Sequence, residues 1–249
     1  FPDQRPITQQ ASDAVLSMLD RTSGDMLVFL PGVGEIRRTE QDLADRLKDV
    51  AIMPLYGDLP AEQQDAVLSP SERRKVVLAT NVAETSLTVP GIRYVVDAGL
   101  ARVKRYSYRS KVEQLQIENI SRAAARQRAG RCGRVADGIC IRLYDEQDFE
   151  ARSEFTDPEI LRSSLANVIL RMLDLKLGDV TQFPFIEPPH EKAIRDGLLL
   201  LQELGAVDER QQLTRLGRDL ARLPLDPRLG RMVLAARDNH CLTEMMIIA

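Results

Sequence analysis

A chain of 249 residues, 44% hydrophobic and 29% charged, is long enough for one large globular domain or two smaller ones. No apolar run approaches the roughly 20 residues of a membrane span, no basic stretch leading into an apolar core opens the chain as a signal peptide would, and 4% aromatic residues with no Trp leave few platforms for stacking on bases. The net charge of −3 excludes a uniformly basic surface, yet residues 101–142 hold eleven Lys and Arg against three acids, which points to one phosphate-facing surface on an otherwise acidic body.

In chain order, residues 26–30 read as a buried strand stopped by Pro31-Gly32. A helix is predicted over 35–48, with Ile36, Leu43 and Leu47 on one face. Strand 51–55 ends at Tyr56-Gly57-Asp58, and 60–68 is a short helix with Pro60 in its first turn. Strands follow at 75–79 and 94–97. This alternation predicts a mostly parallel α/β sheet. Residues 101–117 alternate β-formers with basic side chains and break near Tyr108-Arg109-Ser110, which predicts a β-hairpin with charged outer positions. Residues 138–144 return as a strand.

Near residue 150 the pattern changes. Asp157 is placed to cap a helix carrying Ile160, Leu161, Leu165, Val168, Ile169, Met172 and Leu173 at helical spacing. Phe183-Pro184-Phe185 and Glu187-Pro188-Pro189 form a rigid connector to a helix over 191–204, ended by Gly205. A small β-wing at 206–207 and 212–213, then a helix over 215–223, suggests a winged-helix module. After a break at 224–227, an apolar helix resumes over 229–249. The apolar end at 245–249, and Phe1 where a Met would start a chain, lead to the expectation that the sequence is cut from something longer.

Cys132, Cys140 and Cys241 are an odd number without metal-ligand spacing, and point to a reducing cytosol and a disulfide-free fold. His190 and His240 stand alone and read as surface or packing residues. No metal site is expected.

Two motifs carry chemistry. In Gln127-Arg128-Ala129-Gly130-Arg131-Cys132-Gly133-Arg134, three arginines recur every third residue among small residues. Guanidinium stays charged at any working pH and matches phosphate oxygens with a planar fork of donors. Such a segment suits charge stabilisation in phosphoryl transfer, against the plainer reading of a basic helix end on a solvated surface. Cys132 reads as a small filler beside glycine, although neighbouring positive charge could also lower its pKa. The second motif, Ala79-Thr80-Asn81-Val82-Ala83-Glu84-Thr85-Ser86-Leu87-Thr88, follows a strand directly, where an open α/β sheet presents ligands. Backbone amides and hydroxyls there can hold phosphates.

Together these stretches resemble motifs V and VI of the DEAH-box helicases of superfamily 2, among them the bacterial HrpA-type RNA helicases, which also share a cysteine in motif VI and the run at 138–144. Residues 27–32 resemble motif IV, and 54–60 resemble the segment that follows it. The resemblance covers essentially the whole chain. It implies a second RecA-like domain at 1–152, a winged-helix domain at 153–223 and the start of a helical ratchet domain at 224–249.

It also implies roles. Arg131 and Arg134 would be arginine fingers on the γ-phosphate of ATP, with Gly130 beside them, and Gln127 would help place the attacking water. Ser86 would sense the γ-phosphate. Thr80 and Asn81 would contact the RNA backbone, and the hairpin around Lys104 and Arg105 would guide or wedge a strand, unless it is only a solvated charged ribbon. Leu68 stands where related enzymes often place a base-stacking aromatic. The chain has neither a P-loop nor an Asp-Glu-x-His run. ATP with Mg²⁺ is therefore expected to be held mainly by an upstream RecA-like domain in cis, leaving this portion inactive alone. The expected partner is RNA, mainly single-stranded, in the cytoplasm and away from membranes; recruitment by ribosomes is left open. The competing expectation is a non-catalytic winged-helix adaptor with a vestigial RecA-like lobe.

Overall fold

The computed structural model describes residues 5–85, 87–134 and 137–248. Phe1, Ser86 and Ala249, each used in the sequence reading, lie outside them. The chain divides into two compact units, Phe1–Val103 with Leu115–Thr156, and Lys104–Gln114 with Asp157–Ala249.

The first unit contains, in order, α1 (Ile7–Leu19), β1 (Asp25–Phe29), α2 (Val33–Arg46), β2 (Ala51–Leu55), α3 (Ala61–Leu68), β3 (Lys75–Ala79), α4 (Val82–Thr85) and β4 (Ile92–Asp97). β5 (Leu100–Ser107) and β6 (Val112–Asn119) pair as a separate two-stranded ribbon, the predicted hairpin. Then come α5 (Arg122–Ala129), β7 (Ile139–Arg142) and α6 (Glu146–Ala151). The main sheet has the order β2-β3-β1-β4-β7, and all four pairings are parallel.

Parallel strands need both faces covered, so their side chains are apolar on both sides. Met26, Val28 and Leu30 pack with Val76, Leu78 and Val96 under Ala11, Val15, Ile36 and Leu43 of α1 and α2. Leu27 and Phe29 pack on the opposite face with Val77, Val95, Leu55 and Val67. The alternation follows from the two-residue period of a strand.

The strands and α2 fall within two residues of expectation. α1 was not anticipated, although Ala11, Val15 and Met18 lie buried on one helical stripe. Gly138, just before β7, has no room for a side chain: a Cβ there would stand 2.4 Å from the Cys132 carbonyl oxygen and 2.5 Å from that of Arg93.

The second unit contains α7 (Glu159–Arg162), α8 (Ala166–Asp174), α9 (Glu191–Glu203), α10 (Arg215–Ala221), α11 (Pro227–Asp238) and α12 (Leu242–Ile248). Ile169, Leu170, Ile194, Leu201, Val207 and Leu220 form its core. Three local expectations need correction. The helix from Asp157 is two helices, because Ser163 is extended (φ −110°, ψ 165°). Asp157 does not cap it; Pro158 takes that position, and the Asp157 carboxylate pairs with Arg105 at 2.9 Å. The last helix is also broken, at Asn239 and His240, the latter left-handed with φ 58°. The wing is a single antiparallel bridge, Val207 to Leu213. Thr214 then caps α10 by accepting from the Gly217 N–H at 2.9 Å.

Candidate functional site

The segment after β3 starts at the C-terminal edge of the parallel sheet, and the arginine run passes from Arg128, bonded to Asp97 at that edge, to Cys132, whose carbonyl faces Gly138 beside Arg93 where β7 and β4 begin, all of it within the first unit. In register, Phe29 ends β1 between Ala79 of β3 and Asp97 of β4. Thr80 continues β3 by one residue, its N–H donating to the Leu55 carbonyl at 3.1 Å. Asn81 is exposed and Thr80 half-buried. The single turn of α4 follows, with the Glu84 N–H donating to the Asn81 carbonyl at 2.9 Å.

The arginine run begins in α5, whose N-terminus is capped by the Ser121 hydroxyl accepting from the Ala124 N–H. Gly130 stays close to helical geometry, and the turn carries on to Cys132, whose N–H donates to the Ala129 carbonyl. Gln127 and Gly130 are exposed.

The three arginines, alike in sequence, occupy three environments. Arg128 is fully buried. Its Nε donates to Glu84 Oε2 at 2.9 Å, and its Nη1 donates to Asp97 Oδ1 at 2.8 Å and to the Leu100 carbonyl at 3.2 Å. Its guanidinium lies 4.7 Å from the centre of the Phe29 ring. Asp97 is itself fully buried, and accepts from the Gly99 N–H and the Tyr144 hydroxyl, each at 2.9 Å. A buried charge is tolerated only when it is paired and hydrogen-bonded, and this one meets two carboxylates.

Arg131 is 7% exposed and donates to the main-chain carbonyls of Leu87, at 3.2 Å, and Glu84. Burial, then the neighbouring Arg134 charge, lowers its pKa from the usual arginine value, with Glu84 opposing. Arg134 is exposed, its Nη1 donating to the Thr88 hydroxyl at 2.7 Å. The residues after β3 and the arginine run are thus laced together at Glu84, Leu87 and Thr88. Ser86 falls outside the described residues.

Glu84, Thr88, Asp97 and Tyr144 were not singled out by the sequence. Glu84 and Thr88 stood inside the quoted motif, and an acid ending the apolar run of β4 was the signal for Asp97. Burial raises the Cys132 thiol pKa, as befits a side chain packed in the sheet's core. Burial first, then the Asp97 carboxylate, pushes Cys140 up to about 12.

Lys104 and Arg105 belong to the second unit. Lys104 pairs with Glu113 of the same hairpin and Arg105 with Asp157. The hairpin tip is fastened by the Tyr106 hydroxyl, which donates to Asp196 Oδ2 at 3.0 Å, and by a Lys111–Asp196 ion pair. Among the described residues, no three Asp, Glu, His or Cys side chains converge as metal ligands. No described helix is long and apolar enough to cross a membrane.

A parallel sheet whose β3 leads at its C-terminal end into a hydroxyl-bearing segment fastened to an arginine run defines a RecA-like lobe, here followed by a winged-helix unit. The helicase conserved C-terminal domain family matches residues 10–136, and the winged-helix family of the helicase associated domain (HA2) matches 197–225. The chain is 53% identical over 261 residues to the ATP-dependent RNA helicase HrpA of Escherichia coli (strain K12), covering 98% of this chain and 20% of that protein. It is 52% identical to the HrpA homolog of Haemophilus influenzae, covering 99% of this chain and 20% of that one. The crystal structure of the Escherichia coli DEAH/RHA helicase HrpB superposes with a TM-score of 0.89 at 37% identity, over 98% of this chain and 31% of that one. The chain belongs to the helicase conserved C-terminal domain family, as the C-terminal helicase region of a DEAH-box protein. It spans about a fifth of the length of the curated relatives it matches.

Proposed function

We propose that this chain is the C-terminal helicase portion of an ATP-dependent 3′-to-5′ RNA helicase, with a second RecA-like domain at 1–152, a winged helix at 153–223 and the start of a ratchet domain at 224–249. One observation carries the reading. Arg131 and Arg134 are both tied to the segment that follows β3, Arg131 to the Glu84 and Leu87 carbonyls and Arg134 to the Thr88 hydroxyl. Open α/β sheets take their ligands beyond the carboxyl ends of their strands, where that segment begins, and two guanidinium groups fastened to it suit the charge that builds on a transferring phosphoryl group. The identity to proteins called ATP-dependent RNA helicases supports the same assignment.

In this reading Arg131 and Arg134 reach the γ-phosphate past Gly130, Gln127 orients the attacking water, and Ser86 senses the phosphate. Thr80 and Asn81 follow the backbone of single-stranded RNA. Lys104 and Arg105 serve the hairpin as a strand guide. ATP with its Mg²⁺ is held mainly by an upstream RecA-like domain of the same polypeptide, since this chain has no P-loop. Three free cysteines suit a reducing compartment such as the cytoplasm.

The test compares RNA-stimulated ATP turnover by this chain alone and by the full-length polypeptide. Turnover only in the latter is expected. Robust stimulated turnover by the chain alone would overturn the division of labour.

A further inference from the structure

The two cations assigned to the strand guide are each answered by an acid. Lys104 of β5 pairs with Glu113 of β6, and Arg105 Nη1 lies 2.9 Å from Asp157 Oδ2, all within the second unit. A third arginine holds the second pair in place. Arg162 donates from Nε to the Asp157 carbonyl and from Nη1 to the Lys104 carbonyl, each at 3.2 Å, and so fastens the chain at 157 beside β5. The fold itself therefore brings these acids to these cations.

Carboxylate and phosphate oxygens compete for the same donors, since a guanidinium fork or an ammonium group bonds either anion. Both pairs stand in solvent. The Lys104 and Glu113 side chains are 49% and 31% exposed, and those of Arg105 and Asp157 are 33% and 53% exposed. Ion pairs this exposed are weak, so a phosphate replaces the carboxylate at a cost of no more than about fivefold in affinity per pair. When the phosphate leaves, the acid closes on the cation again.

We infer that Glu113 and Asp157 set the RNA affinity of the hairpin. Each occupies a cation that a backbone phosphate of single-stranded RNA takes over on binding, and each keeps that contact weak enough to exchange as the strand moves. This rests on the reading under Proposed function, which gives Lys104 and Arg105 to the strand.

The experiment follows binding of a fluorescein-labelled oligouridylate to the full-length polypeptide by anisotropy, without nucleotide and at one fixed salt concentration. Glu113→Gln and Asp157→Asn should each tighten binding by about two- to fivefold, the range an exposed ion pair allows. Both acids are exposed, and surface substitutions of this kind leave the fold intact. Glu159→Gln removes the same charge two residues from Asp157, at an exposed side chain with no ion pair among the described residues, and should change binding less than either. In Lys104→Gln the gain from Glu113→Gln should vanish, because no cation is left to release. Unchanged or weakened binding in Glu113→Gln or Asp157→Asn overturns the inference. So does a gain that Glu159→Gln matches or that survives in Lys104→Gln, since either would mark a general loss of repulsion. The reading beneath it is tested separately: removing Lys104 and Arg105 from the variant that lacks both acids should weaken binding. If it does not, the assignment of these cations to the strand fails, and the inference with it.

Discussion

Arg128 Nη1 lies 2.8 Å from Asp97 Oδ1, and both side chains are wholly removed from solvent. Removing one member of such a pair leaves the other charge buried and uncompensated, which costs about 3–5 kcal/mol. Arg128→Ala should therefore lower the unfolding free energy by about that amount, whereas Arg134→Ala, at an exposed position, should stay within about 0.5 kcal/mol of wild type. Urea denaturation of the two variants measures the contrast. Equal effects would mean that the run is not divided between anchor and finger.

Gly138 faces two main-chain carbonyls at distances no real Cβ tolerates. Gly138→Ala has to displace backbone rather than a flexible side-chain end. The cost expected for overpacking is about 1–3 kcal/mol, read as a lower urea midpoint at unchanged slope.

Thiol chemistry should separate the three cysteines. Cys132 and Cys140 are held as thiols by burial, and Cys241 is exposed. The thiolate is the reactive form. At pH 8, Cys241 should react with an aromatic disulfide first, with Cys132 and Cys140 following only on unfolding. The sign for stability follows from the raised Cys140 value. The folded state holds the thiol proton more tightly, so that contribution is complete below about pH 9, the ordinary thiol value, and is lost as pH rises toward about 12. Cys140→Ser should flatten the stability loss over that window in alkaline denaturation curves.

If Thr80 and Asn81 track a phosphate backbone beside the basic stretch, RNA affinity should fall steeply and log-linearly with salt, with little difference between homopolymers. Fluorescence anisotropy at several salt concentrations measures it. A flat salt response would remove phosphate tracking from the account.

Much of this architecture was legible because apolar runs set between helical stripes leave few alternatives to a parallel sheet. The strands at 51–55 and 75–79 fall at their predicted bounds. α1 escaped notice although its buried stripe was present in the sequence. The interruptions at Ser163 and His240 were hidden for another reason. The apolar period runs straight through both, and only backbone geometry, extended at one and left-handed at the other, reveals them. At the site, spacing alone made Arg128, Arg131 and Arg134 equivalent. Their division depends on Glu84 and Asp97, brought to the run by tertiary folding from 44 and 31 residues away. No local pattern encodes such a pairing.

The central claim is that Arg131 acts on a phosphate held by another domain. Steady-state ATP turnover by the full-length polypeptide carrying Arg131→Ala, with saturating RNA and a confirmed native fold, tests it most directly. A fall in kcat of about 10³-fold or more is predicted, as for arginine fingers generally. A turnover number equal to wild type would contradict the account.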